Sequence, residues 1–254
     1  MSNRLWGNPV AAQLETDVTH ANTSLLVSIV FAREQVVRTA RTELARRFTN
    51  PDVFCELRES GVLNSLICSA HGERLARVWD LLKCVHDRLS TSEMHLFLRK
   101  VLRGGWALCD SSEPPRPLKD AVMEAYVSHP ETDLENVVAL MRDVASVRCQ
   151  MFRYLTIYKS LSVRDLSGLL CYREVRVSAY EEMCQGHVRM AEKEIVYANI
   201  IRHLGEQDVS IDTQVLVLRW MLKERLLTRE MLRALGKEST LNKAVSQVRL
   251  RTTP

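Results

Sequence analysis

The chain has 254 residues, of which 46% are hydrophobic and 26% are charged, and its formal net charge is +4. This composition can form one or two globular cores and excludes an intrinsically disordered chain. The longest apolar run, residues 24–31, is much shorter than the ~20 residues of a membrane-spanning helix, and no leader pattern opens the sequence, so we expect a protein of the cytosol or nucleus.

Apolar residues recur at three- and four-residue spacing along almost the whole chain, and only nine glycines and seven prolines interrupt them. This periodicity predicts an all-α fold without a sheet. In the longest predicted helices the apolar stripe, such as that from Val137 to Tyr158, is interpreted as core. In chain order, the predicted helices cover residues 20–31, 33–48, 51–59, 61–70, 73–89, 92–103, 117–127, 133–159, 163–173, 178–204, 212–226, 228–236 and 240–249.

Several of these helices begin with a residue that can cap the free N–H groups of a first turn. Asn50 is followed by Pro51, which favours the first helical position. Four further starts have Ser or Thr with an acidic residue three positions later, the pattern of a capping box. These pairs are Ser90 and Glu93, Thr132 and Glu135, Ser162 and Asp165, and Ser178 and Glu181.

The helical pattern is interrupted once clearly, at "GGWALCDSSEPPRP", where two glycines, two serines and three prolines fall within 14 residues. A weaker interruption is "HLGEQDVSIDT". These breaks predict two consecutive helical bundles and a smaller C-terminal unit. The predicted division is an N-terminal bundle at 1–105, a linker at 106–117, a middle bundle at 118–204 and a C-terminal helical unit at 212–254.

The C-terminal unit is strongly basic. From Leu216 to Pro254 nine Lys or Arg residues accompany three Glu, a net charge of +6, whereas residues 1–215 have a net charge of −2. A basic segment on a near-neutral body suits phosphate-rich partners such as RNA or anionic lipid, although a solvated helical face has the same composition. We expect removal of the segment from Ser239 onward to leave the other two units folded. The candidate binding residues here are Arg219, Lys223, Arg229, Arg233, Lys237, Lys243, Arg249 and Arg251.

Two other predicted helices have basic edges. In "HLFLRKVLRGG" we expect Leu96, Phe97, Val101 and Leu102 to pack inward. This leaves a cationic patch of Arg99, Lys100 and Arg103 that would bind phosphate or lipid head groups without reading sequence. In the 33–48 helix the buried stripe is predicted to contain Val37, Ala40, Leu44 and Phe48. Its flanking candidates are Arg38, Arg41, Arg46 and Arg47.

The sequence contains none of the common catalytic motifs: no Gly-rich phosphate loop, no G-x-S-x-G, no H-E-x-x-H and no paired cysteines. Cys184 and His187 would place two metal ligands on one helix, but no second pair follows them, so no metal site is predicted. The seven cysteines are scattered, and we expect most of them to be small buried residues. The sequence therefore predicts no cofactor and no small-molecule substrate, and it disfavours an enzyme.

The order of these segments resembles that of the orthomyxovirus matrix proteins, the influenza and thogoto-like group. The resemblance covers roughly Arg33 to Met190. It rests on the succession "RVWDLLKCVHDRL", "STSE", "MHLFLRKVL" and "RGG", on the upstream "QVVRTARTELARRFTNPDVFCELRESGVLNSL", and on the downstream "TDLENVVALMRDVASVRCQMFRYL" and "LSVRDLSGLLCYREVRVSAYEEMCQGHVRM". Arg99 and Lys100 match part of the family's basic helix. Arg142 matches the first residue of its nuclear-import cluster, which does not continue here.

The resemblance implies a structural protein that forms a layer beneath the virion envelope. Such a protein would self-associate, bind the anionic inner leaflet of the host plasma membrane and contact the viral ribonucleoprotein during budding, with the host cytoplasm and nucleus as further locations. Two alternatives remain open on the residues alone. One is an all-helical RNA-binding protein of the nucleocapsid type. The other is a helical adaptor or scaffold.

Overall fold

The computed structural model describes residues 36–103, 116–237 and 240–250. Within these ranges every regular element is helical, with 14 α-helices, three short 3-10 turns and no strand. The predicted all-α fold is confirmed. The helix predicted at 20–31 lies outside the described residues.

The chain divides into two compact units, Met1–Asp133 (unit 1) and Leu134–Pro254 (unit 2). The described helices of unit 1 are α1 (Val36–Thr49), α2 (Pro51–Glu59), α3 (Val62–Ser69), α4 (Glu73–Leu82), α5 (Thr91–Arg103) and α6 (Arg116–Ser128). Those of unit 2 are α7 (Leu134–Asp143), α8 (Arg148–Tyr158), α9 (Val163–Leu169), α10 (Arg176–Met183), α11 (Lys193–Leu204), α12 (Ile211–Lys223), α13 (Arg229–Leu235) and α14 (Asn242–Leu250).

This division differs from the one expected from the glycine- and proline-rich segment at 106–117. Helix α6 follows that segment, yet it packs against α5 and α4 and belongs to unit 1. In the same way, α12 packs against both α10 and α14, so the C-terminal helices are part of unit 2. A run of glycines and prolines interrupts the helical pattern, but the packing on either side decides whether the loop separates two units.

Three of the predicted helix starts are confirmed by their hydrogen bonds. The Asn50 side chain accepts the N–H of Asp52 at 3.0 Å ahead of α2. Ser90 and Glu93 form a reciprocal capping box at α5, with the Ser90 N–H donating to the Glu93 carboxylate at 2.7 Å and the Glu93 N–H to Ser90 Oγ at 3.2 Å. Ser162 and Asp165 form the same arrangement at α9.

The other two predicted caps are wrong. Thr132 is buried, and its hydroxyl has no hydrogen-bond partner among the described residues. Ser178 lies inside α10, which begins two residues earlier at Arg176. A Ser or Thr followed by an acid marks a helix start only where the chain is already extended at that residue.

The helix predicted over 133–159 is two helices. Val144 is extended, with φ −132° and ψ 95°, and a 3-10 turn at Ala145–Val147 precedes α8. Arg148 Nε donates to the Met141 carbonyl at 2.8 Å, so an arginine side chain binds a C-terminal carbonyl of α7 that has no helical partner. The predicted apolar stripe is buried at Val137 and Val147, but Tyr158 is 42% exposed, and its assignment to the core is wrong.

The helix predicted over 178–204 is also interrupted, between Met183 and Lys193. Helix α12 stabilises the non-helical segment, because Trp220 Nε1 donates to the Gly186 carbonyl at 3.0 Å. Gly186 is closely packed: a Cβ at this position would lie 2.8 Å from a methyl carbon of Val163. Both contacts come from residues distant in sequence, so periodicity could not predict this break.

A buried arginine joins three segments of unit 2. The Arg176 side chain is only 7% exposed, and its Nη1 binds the Asp208 carboxylate at 2.6 Å. Its Nε donates to the Leu170 carbonyl at 2.7 Å. Gln214, also buried, donates to the carbonyls of Leu204 and Val209. These bonds fix the turn between α11 and α12 against α9 and α10.

His203 lies next to this ion pair, and Arg176, Arg202, Glu206 and Asp208 are the charged groups that act on it. Burial, together with the positive charge of Arg176, lowers its pKa. Below pH ~6.5, the usual histidine pKa, the unfolded chain therefore binds a proton that the folded chain does not. The contribution of neutral His203 to stability is complete above that pH and is lost as the pH falls through the lowered pKa.

We therefore expect the free energy of unfolding of unit 2 to fall between pH 7.5 and pH 5.5, and to fall less in a His203→Gln variant, whose side chain does not titrate. Urea titrations followed by circular dichroism at both pH values measure the two decreases. His71→Gln, at an exposed site in unit 1, is the matched control. Equal decreases in His203→Gln and the parent protein would contradict the assignment.

Candidate functional site

The basic patch predicted on α5 is largely engaged within unit 1. Phe97 and Val101 are buried as predicted, whereas Leu96 and Leu102 are half-buried. Lys100 Nζ donates to the carbonyls of Cys68 and Ala70, at the C-terminal end of α3. This position suits a cation, because the carbonyls at a helix C-terminus are unsatisfied and partially negative. Arg99 and Arg103 also have partners of their own. The α5 patch is therefore, in part, a structural contact between helices.

The arginines near the end of α1 share one carboxylate. Arg46 binds Glu43 through Nε and Nη2 at 2.9 and 2.8 Å, and Arg47 Nε binds the same carboxylate at 2.9 Å. The hydrogen bonds from Arg46, followed by those from Arg47, outweigh the effect of burial and lower the pKa of Glu43 to about 2. Arg38 and Arg41 lie on α1, and their side chains are outside the described part. Half of the charge of Arg46 and Arg47 is thus neutralised locally.

The C-terminal helices differ from both of these regions. Within the described residues, six exposed cations of this segment have no hydrogen-bond or ion-pair partner, and together we call them the terminal basic surface. They are Lys223, Arg225, Arg229, Arg233, Lys237 and Lys243.

Regular spacing brings part of this surface together. Arg229 and Arg233 are four residues apart on α13, and Lys237 follows one turn later, so Arg229 and Arg233 lie on the same side of the helix. Glu230 is an exposed acid on the same helix. The other described acid of the segment, Glu224, accepts the Val188 N–H at 3.2 Å and lies 3.0 Å from His187 Nδ1. The terminal basic surface therefore retains most of its positive charge.

The helices that carry these cations are firmly attached to unit 2. Thr228 caps α13 by accepting the Met231 N–H at 3.1 Å. Leu226 and Leu227 are buried, and both of their N–H groups point to the Met221 carbonyl at the end of α12. The cations are thus displayed from packed elements, and binding an anion would not require these helices to fold first.

Sequence reasoning omitted Arg225 from the candidates, although it was part of the charge count. It lies in the turn after α12 with a positive φ of 56°. Of the remaining predicted residues, Arg249 is exposed but has a partner, and Arg251 lies outside the described residues. Arg219 is half-buried, and its Nη2 atom is buried without a hydrogen-bond partner in the described part.

The two residues considered as metal ligands are not on one helix. Cys184 directly follows α10 as its C-cap residue, and His187 lies in the segment between α10 and α11. Burial raises the pKa of the Cys184 thiol to about 12, so the thiol is protonated at neutral pH and is a poor metal ligand in that form. His187 Nδ1 is within hydrogen-bond distance of Glu224. No group of three His, Cys, Asp or Glu side chains in the described ranges could hold a metal ion.

Most cysteines are not the small buried residues that were expected. Among the described residues, Cys184 is half-buried and the other five are exposed, namely Cys55, Cys68, Cys84, Cys149 and Cys171. Cys149 Sγ donates to the Glu174 carbonyl at 3.2 Å. The expectation failed because apolar composition alone does not place a cysteine on the inner face of a helix.

None of the helices in the described part is both long enough and apolar enough to span a membrane. Comparison of the chain with protein-family models, with curated proteins and with solved structures gave no match.

Proposed function

We propose that this protein is a non-enzymatic structural protein that binds anionic membrane through the terminal basic surface and self-associates into a layer. The sequence resembles the orthomyxovirus matrix proteins. As in that family, the layer would lie beneath a virion envelope and contact the ribonucleoprotein within it. The host cytoplasm and the inner face of the plasma membrane are the corresponding locations. The observation that carries the proposal is the group of six exposed cations without partners.

The chemistry of this surface favours lipid over single-stranded RNA. Proteins that bind single strands without sequence preference combine positive charge with exposed aromatic rings on which bases stack. The one aromatic residue from Leu216 to the C-terminus is Trp220, which is buried and donates its indole N–H to Gly186. Head groups of an anionic bilayer require only positive charge, at about 1 kcal/mol for each Lys or Arg near the surface.

The test is co-sedimentation of the full chain with phosphatidylserine-containing vesicles and with phosphatidylcholine vesicles. We expect the combined variant Arg229→Glu, Arg233→Glu, Lys237→Glu to bind the anionic vesicles more than about 100-fold more weakly, since three favourable charges become unfavourable. Binding of the parent protein should also weaken steeply as salt is raised from 50 to about 200 mM.

The matched control is Arg153→Glu, Arg189→Glu, Arg202→Glu, which makes the same change in net charge at three exposed positions elsewhere in unit 2. It should bind several-fold more weakly through net charge alone, and much more tightly than the α13 variant. Equal losses in the two variants would contradict a localised surface. If the parent protein does not bind anionic vesicles but protects RNA at a fixed site size, the RNA-binding alternative is established instead.

A further inference from the structure

Among the described residues, the large apolar side chains that are exposed lie in unit 2. All of the large hydrophobic residues that are exposed in the described ranges belong to it: Ile157, Tyr158, Met190, Ile195, Ile211 and Leu216. Single exposed apolar residues are common on any protein, but within the described ranges they all belong to unit 2, which indicates where an interface would remove apolar surface from water.

One of these residues lines a groove in unit 2. Ile195, which is 45% exposed, lines an open groove of about 560 Å³ between α7, α9 and α11. Leu134, Val138, Ala139 and Leu169 are the other apolar residues of the lining. Gly168 leaves room in it, because a Cβ at that position would meet no atom within 4 Å. We call this cavity the α7 groove, and it can accept a protruding aliphatic side chain.

Charged residues of α7 and α9 line the groove, with Arg164 and Asp165 on α9, and those on α7 have a definite order. Glu135, Val138, Ala139 and Arg142 follow one another at helical spacing, so one side of α7 presents an acid, then apolar groups, then a cation. Glu135 and Arg142 have no hydrogen-bond or ion-pair partner through their side chains among the described residues.

Helix α12 has the same order of residues along one side. Asp212, Leu216 and Arg219 are four and three residues apart, and Leu216 is 45% exposed. Asp212 is exposed and has no partner in the described part, whereas Arg219 is half-buried and its Nη2 atom is buried. Leu216 is therefore an exposed apolar side chain between an exposed acid and a half-buried cation.

We propose that the α7 groove of one copy binds helix α12 of a second copy. In an antiparallel arrangement Asp212 meets Arg142, Leu216 enters the groove, and Arg219 meets Glu135. The spacing agrees, because both charged pairs are seven residues apart, which is about 10.5 Å along an α-helix. Pairing of two α7 helices would satisfy the charges but would leave the groove empty, since the apolar groups of α7 form its lining.

This inference rests on the self-association in the proposed function and specifies its geometry. Groove and helix are different surfaces of the same unit, so each bound pair of copies leaves one groove and one α12 helix free. The contact is head-to-tail and allows copies to add one after another. Lipid binding through α13 is a separate property.

The test uses sedimentation velocity of the full chain at low ionic strength, without lipid, together with energy transfer between labelled copies on phosphatidylserine vesicles. Gly168→Leu fills the groove and Leu216→Gln removes the protruding side chain while retaining a good helix former. We expect each to weaken self-association by about tenfold or more. Gly168→Ala and Leu216→Met, which preserve the groove and the apolar contact, should assemble like the parent.

Mixing the two defective variants gives the decisive result. The Leu216→Gln copy retains its groove and the Gly168→Leu copy retains Leu216, so an equimolar mixture should form a heterodimer and stop there. Reversal of one charge pair supplies a second test: Arg142→Glu and Asp212→Arg should each weaken assembly, and the chain with both changes should regain it.

The inference is overturned if Gly168→Leu or Leu216→Gln assembles like the parent, if the mixture forms no heterodimer, or if the parent shows no association in solution or on vesicles. Failure of the membrane proposal has a different signature. In that case the parent and the groove variants alike would not bind anionic vesicles, whatever their state of association in solution.

Discussion

Deletion of residues 239–254 will unfold unit 2 and leave unit 1 folded. The deleted segment contributes four residues to the core, each at most 1% exposed: Leu241, which precedes α14, and Ala244, Val245 and Val248 of α14. The helix packs against α12, whose own apolar side would become exposed to water. Burial of the leucine and the two valines alone stabilises the fold by about 5 kcal/mol, which equals the entire stability of many domains.

Differential scanning calorimetry and near-ultraviolet circular dichroism measure this effect. We expect the thermal transition of unit 2 to be lost and that of unit 1 to remain. The control deletes only residues 251–254, which follow α14, and should leave both transitions in place. A 239–254 deletion that unfolds like the full chain would show that the C-terminal segment is a separate appendage, as its charge alone had suggested.

Replacement of Arg176 by methionine will strongly destabilise unit 2. The change leaves the Asp208 carboxylate, whose side chain is 17% exposed, without its cation, and its buried Oδ2 atom already has no hydrogen-bond partner in the described part. Loss of one member of a buried pair costs about 3–5 kcal/mol, mainly through the uncompensated charge that remains. Urea unfolding followed by circular dichroism should show a correspondingly lower midpoint.

The double variant Arg176→Met, Asp208→Leu separates the charge effect from the loss of packing. It should be more stable than Arg176→Met alone, because no buried charge is left without a partner. Lys83→Met is the control, since Lys83 binds Asp80 at 2.8 Å with both side chains about half exposed. We expect it to cost less than about 1 kcal/mol. A double variant no more stable than the single one would contradict the explanation.

Helical periodicity predicted most of the elements but not their interruptions. The predicted helix over 51–59 agrees with α2, and that over 92–103 differs from α5 by one residue. The breaks near Val144 and Gly186 were missed because their causes lie elsewhere in space: the Arg148 side chain on the Met141 carbonyl, and the Trp220 indole on the Gly186 carbonyl. The spacing of apolar residues indicates which side of a helix faces the core. It contains no information on such contacts.

The candidate site shows the same limit. Counting charges located the basic segment, but it gave Lys100 and Lys237 equal weight. In the fold, Lys100 binds carbonyls at the end of α3, whereas Lys237 is exposed without a partner in the described part. Arg46 and Arg47 share Glu43. Which cations can bind an external anion depends on tertiary neighbours, and composition cannot distinguish them.

The left-handed backbone at Arg225 shows how α12 ends. The Leu226 N–H returns to the Met221 carbonyl at 2.8 Å, the closure that glycine most often makes possible at such a position. A residue with a Cβ there costs about 1 kcal/mol in local strain. Glycine would end the helix with less strain, but the bend would then lack a guanidinium. The sharpest turn in this part of the chain thus directs a permanent positive charge toward solvent between Lys223 and Arg229.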